Sequence, residues 1–171
     1  MNGAELPPNP VILTFDDGYA EHYNYVFPLL RDFGMTGTFF VITQFADNNS
    51  QNYLTWAQIE EMQAVGMSME AHTKNHVDLR NRDFDYLVFE IVGSIESIEA
   101  HTGNHSRMFA YPVGRYDNST LAVMASTDVL RAVTTQLGTW QTSDNRLEVP
   151  RMRITNETTV SGLIYLLNYG Q

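Results

Sequence analysis

Short runs rich in β-branched and aromatic residues alternate along this chain with longer runs of helical periodicity, and few folds accommodate that alternation. The strand-like runs fall at residues 11–15, 36–42, 67–71, 107–111, 129–134 and 152–154. Between the first two, residues 19–33 place Val26, Leu29, Leu30 and Phe33 at helical spacing, with Gly34 as a stop. Pro28 lies inside that helix and predicts a break or a fresh first turn. Thr55 and Gln58 form a capping-box pair that opens a helix ending at Gly66. Residues 83–102 are amphipathic, with Leu87, Ile91, Ile95 and Ile98 among the apolar positions, and stop at Gly103. A short helix is expected over 119–126 and an apolar one over 160–167, whereas residues 136–149 are polar and show no period. Strands separated by helices pair in parallel with the helices outside, as an α/β doubly wound sheet or a barrel. With no repeat, low-complexity tract or linker, residues 1–171 are expected to form a single domain.

Composition removes several kinds of function. A net charge of −10 argues against nucleic acid or an anionic membrane surface as partner. There is no cysteine, so disulfides and thiolate metal sites are excluded, and any metal must be held by imidazole and carboxylate. No apolar run approaches the ~20 residues of a membrane span. No signal peptide precedes Val11, and a chain that begins almost at its first strand is expected to be a mature or trimmed form.

In a parallel α/β protein the carboxyl ends of the strands share one rim, and chemistry collects there. The first strand ends on Asp16-Asp17-Gly18. Alone, that triplet reads equally well as a turn capping the next helix. The third strand, however, ends on His72-Thr73-Lys74-Asn75-His76, and the fourth on Tyr111-Pro112-Val113-Gly114, so all three fall on the same rim. One carboxylate and two imidazoles make a ligand set for a divalent ion with positions left open. The other carboxylate of the adjacent pair is then free to take a proton from water. His101 and His105 have the same spacing as His72 and His76 but straddle Gly103 at a helix end, and are read as solvated surface side chains.

The segments Thr14-Phe15-Asp16-Asp17-Gly18, His72-Thr73-Lys74-Asn75-His76 and Phe109-Ala110-Tyr111-Pro112-Val113-Gly114 occur in this order. They resemble the first three motifs of the polysaccharide deacetylase family, also called the NodB-homology or carbohydrate esterase family 4 domain. The resemblance spans roughly residues 11–154, and its first two motifs are the more specific. It implies a distorted (β/α) barrel and metal-dependent removal of acetyl groups from N- or O-acetylated polysaccharides or oligosaccharides. It further implies that Asp17, His72 and His76 bind the metal, that Asp16 is the general base, and that the backbone N–H of Val113 meets the oxyanion. Zinc is the first expectation for the ion, and cobalt, nickel or manganese would also suit these ligands. The resemblance also suggests a secreted or cell-envelope setting.

Three departures from the family pattern stand out. The third-motif arginine that holds the base is Ala110 here, and Arg151, before the last strand-like run, is the candidate to replace it. Asp144 lies in the region of the fourth motif without its pattern. The fifth-motif histidine acid is replaced in Leu166-Leu167-Asn168, which leaves the general acid missing, cut away or supplied by another chain. Two rival readings follow: a metal-containing carbohydrate-binding domain impaired in catalysis, and a related hydrolase of cyclic amides. Tyr111 and Trp140 read equally well as a sugar-stacking floor and as buried barrel aromatics.

Overall fold

The structure is a computed structural model and describes residues 10–169. Five strands, β1 (Thr14–Phe15), β2 (Thr38–Val41), β3 (Ser68–Ala71), β4 (Met108–Ala110) and β5 (Arg131–Val133), form one sheet in sequence order. Each pairs in parallel with the next, in the α/β distorted-barrel arrangement. The connections carry α1 (Phe27–Asp32), α2 (Thr43–Asp47), α3 (Trp56–Ala64), α4 (Phe84–Thr102) and α5 (Asn118–Ala125), and α6 (Val160–Tyr169) follows β5.

Helix ends follow the local chemistry. Thr55 and Gln58 make the capping box that opens α3. Asp83 accepts a hydrogen bond from the Tyr86 amide to open α4, and left-handed Gly103 closes it. The stretch before Pro28 is a π-helical turn, His22–Val26, and the α-helix restarts at Phe27 with the proline in its first turn.

The core lies in layers set by strand alternation. Phe39 packs with Phe27, Leu30, Ile59 and Met62 beneath α1 and α3. Leu87, Ile91, Ile98, Phe109 and Met124 form the second cluster, beneath α4 and α5. Phe40, one residue from Phe39, belongs to a separate cluster with Ala110, Val133 and Val149. Each such aromatic contributes about 2–3 kcal/mol by leaving water.

Two expectations are corrected, and one helix is added. Only Thr14–Phe15 of the first run is strand, and Val11 and Ile12 are 60% and 64% exposed, because among the described residues this strand pairs on one side only. Residues 152–154 are not a strand. The chain beside β5 makes a single parallel bridge, Val133 to Val149, and Ile154 is exposed, so no ladder continues there among the described residues. Helix α2 was not expected; its two first N–H groups donate to the Thr73 and Lys74 carbonyls, so its stability comes from the neighbouring loop rather than from its own five residues.

Candidate active site

Asp17 leaves β1 in the left-handed region, φ 77°, and Gly18 follows at φ 72°, where a β-carbon would touch Val41. A non-glycine residue held there carries local strain, about 1–3 kcal/mol, which the surroundings must sustain. The strain turns the Asp17 carboxylate towards the end of β3. His72 is buried, and its Nδ1 lies 2.6 Å from the Ala110 carbonyl oxygen. A carbonyl only accepts, so Nδ1 carries the proton and Nε2 presents its lone pair. The loop then turns through two more left-handed residues, Thr73 (φ 63°) and His76 (φ 54°), and the His76 amide donates to Thr73 Oγ1 at 2.9 Å.

The result is a convergent set of acceptors. Asp17 Oδ1 lies 3.2 Å from His72 Nε2 and 3.2 Å from His76 Nε2, and the three ligand atoms all fall within 4.8 Å of one another. When the imidazoles are protonated, contact with His72 first, and with His76, holds the Asp17 carboxyl well below the usual carboxylate range, against the opposing effect of burial; in the neutral tautomer the same contacts set the carboxylate against lone pairs. An anion facing lone pairs is electrostatically unbalanced unless a cation joins them. Two imidazoles and a carboxylate fit a divalent ion of the zinc, cobalt, nickel or manganese type.

Asp16 points elsewhere. Both of its oxygens are held by Arg151, Nη1 to Oδ1 at 2.7 Å and Nη2 to Oδ2 at 2.6 Å. The guanidinium is itself fixed, with Nε donating to the Thr134 carbonyl at 3.0 Å and Nη1 to Thr14 Oγ1 at 3.1 Å, over the face of Phe40. Arg151 therefore sits where the sequence, lacking an arginine at position 110, requires a partner for Asp16. The turn after β4 is a 3₁₀ segment, Pro112–Gly114, in which Val113 adopts φ 48° and is 56% exposed. Gly114 packs so closely on Thr135 that a β-carbon there would collide with its side chain.

The remaining candidates lie apart. His101 stacks on Trp56 at 4.0 Å, and His105 pairs with Glu99 at 2.6 Å, so the control pair faces different partners. Tyr111 is 1% exposed and donates to the Leu147 carbonyl; burial pushes its phenol up, and it cannot floor an open groove. Trp140 is 61% exposed, not a barrel aromatic. Exposed Asp144 accepts from its neighbour Ser143. Asn168 donates to the Ile164 carbonyl of its own helix.

Two features escaped the sequence reading. Tyr19, next to Gly18, stacks on Tyr53 at 5.3 Å, and the nearby Asp17 charge pushes its phenol up. Glu90, wholly buried in α4, accepts hydrogen bonds from the loop that carries the two histidines. The available signal was an acid in the otherwise apolar and small stripe of Leu87, Ile91, Ser94 and Ile98.

Known proteins resemble this chain in sequence and fold. The chain is 30% identical over 145 residues to YxkH of Bacillus subtilis, across 85% of this chain and 51% of that protein. It is 29% identical over 103 residues to the peptidoglycan-N-acetylmuramic acid deacetylase PdaA of the same organism, across 60% of this chain and 37% of PdaA. The chain thus spans about half, or less, of the length of these curated relatives. Its fold matches the Streptococcus pyogenes deacetylase PplD, solved in complex with acetate, with a TM-score of 0.90 at 33% identity, across 95% of this chain and 73% of that one. A sequence profile described as polysaccharide deacetylase matches residues 3–132. The chain belongs to the polysaccharide deacetylase family.

Proposed function

We propose that this chain is a metal-dependent hydrolase that removes acetyl groups from acetylated carbohydrate polymers, with residues 1–171 acting as one catalytic domain. The observation that carries the reading is the convergence of Asp17, His72 and His76 beside a second carboxylate, Asp16, clamped by Arg151. Asp17, His72 and His76 would hold the ion. A divalent cation in such a site acidifies water and polarises an acetyl carbonyl.

The chain's own residues supply the rest. Asp16 accepts the proton of the attacking water, and Arg151 is its positioning residue, keeping the carboxylate aimed without side-chain reorganisation. The Val113 N–H donates to the oxygen that becomes negative in the tetrahedral intermediate. His72 keeps Nε2 free because Nδ1–H is committed to the Ala110 carbonyl. The Tyr19–Tyr53 pair gives an aromatic edge next to Asp17, suited to the apolar face of a sugar ring. A substrate in the cell envelope or outside the cell accords with the named substrate of PdaA.

The test is acetate release from an O-acetylated oligosaccharide and an N-acetylglucosamine oligomer, by protein stripped with chelator and then reloaded with zinc or cobalt. Activity that disappears on stripping and returns on loading supports the reading. Metal binding without acetate release from either substrate would favour a carbohydrate-binding role instead.

A further inference from the structure

The loop that carries His72 and His76 is the most contorted segment of the site. Two of its five residues, Thr73 and His76, are non-glycine residues in left-handed geometry. Such a loop keeps its shape only if its neighbours over-determine it, and one buried side chain does most of this. Glu90 Oε2 accepts from the Lys74 amide at 3.1 Å and from the Asn75 amide at 3.0 Å, while Oε1 accepts from Asn75 Nδ2 at 2.8 Å. The backbone carbonyl of Glu90 also accepts from the Lys74 amide, at 3.2 Å.

The rest of α4 is shaped to the same purpose. Gly93, one turn on, leaves room for the Lys74 stem: a β-carbon there would lie 3.1 Å from Lys74 Cδ. Ser97, another turn on, accepts from Lys74 Nζ at 2.9 Å. Glu90, Gly93 and Ser97 thus form one strip of helix against which the loop lies. From the other side, the Thr43 and Gln44 amides of α2 bind the Thr73 and Lys74 carbonyls at 3.3 and 3.0 Å.

We propose that Glu90 is a positioning residue for the metal centre. By binding both successive amides of the loop it fixes the left-handed turns that bring the two imidazoles to Asp17. The inference rests on Asp17, His72 and His76 forming a metal centre. A carboxylate meets all three N–H donors as they stand, whereas a carboxamide would set its own NH₂ against Asn75 Nδ2 unless that side chain turned over. Outer-shell partners of metal-binding histidines are typically worth about 10–100-fold in affinity.

The experiment uses the full chain and cobalt(II) as probe. Affinity is measured by competition with a chromophoric chelator, ligand geometry by the visible cobalt bands, and folding by circular dichroism and thermal melting of the metal-free protein. Glu90→Gln is expected to stay folded, bind cobalt about 10–100-fold more weakly and shift the bands. Asn75→Asp alone should also weaken binding, by setting a second carboxylate against Glu90. The double variant, in which the new amide can donate to the new carboxylate, should recover part of the loss. If Glu90→Gln does not fold, Glu90→Asp keeps the charge but shortens its reach, and weakened binding is again expected. A folded Glu90 variant with wild-type affinity and wild-type bands would overturn the proposal, whatever its melting temperature. Wild-type protein that binds no cobalt would instead overturn the metal centre itself, a separable result.

Discussion

Asp16 and Asp17 are neighbours whose carboxylates part at the left-handed turn of Asp17, one towards Arg151 and the other towards His72 and His76. Asp17→Asn tolerates that backbone but loses its charge, and it should lower metal content sharply without unfolding the chain. Asp16→Asn should retain the metal and cut acetate release by about 10²-fold or more, the usual worth of a positioned base. Paired metal analysis and acetate assays check both; loss of metal from Asp16→Asn would reverse the assignment. The two histidine pairs offer an internal control. His72→Ala and His76→Ala should each lose metal, whereas His101→Ala should keep it, removing a stacking partner from Trp56 and a neighbour from Asp47.

Among the elements, legibility in the sequence followed how local the cause was. The capping box at Thr55, the α4 stop at Gly103 and the restart at Pro28 are set by neighbours in sequence, and all were readable there. The shortening of β1 was not, because Val11 and Ile12 have strand-like side chains but, among the described residues, no partner on the open side of the sheet. Glu90 was missed because its role depends on residues 15 and 16 positions away. Arg151 was legible only as the filling of a gap left at Ala110. Its removal tests the closure of the sheet as well as the chemistry. Arg151→Ala should destabilise by about 1–2 kcal/mol in urea titration, since the pair is partly exposed, and reduce turnover more than metal affinity. A pH effect belongs to the packing of the β4–α5 loop. Tyr116 donates to Glu148 at 2.9 Å, and burial and that bond push its phenol up to about 12. A folded value above the unfolded one, near 10, means stability present below about pH 10 and lost as pH rises towards 12. Wild type and Tyr116→Phe should therefore converge in urea midpoint across that window.

For the whole molecule, the arrangement of histidines predicts which bonds are cleaved best. The sequence holds five; outside the triad, His101 and His105 face Trp56 and Glu99, while His22 packs among Phe15, Tyr19 and Phe39 within reach of the Asp16 and Asp17 charges. A leaving amine must be protonated as it departs, whereas an ester alkoxide leaves more readily. Without a positioned acid, N-deacetylation should lag behind O-deacetylation by about 10²–10⁴-fold. Efficient release from N-acetylglucosamine oligomers by this chain would show that another group donates the proton. The Arg151 clamp has a consequence during synthesis. Asp17, His72 and His76 leave the ribosome within the first half of the chain, but Arg151 follows Asp16 by 135 residues. Because Glu90 holds the histidine loop and the Ala110 carbonyl holds His72, the proposed ligand triad waits for β4, and the proposed base, clamped from residue 151, is the last part of the site to be aimed.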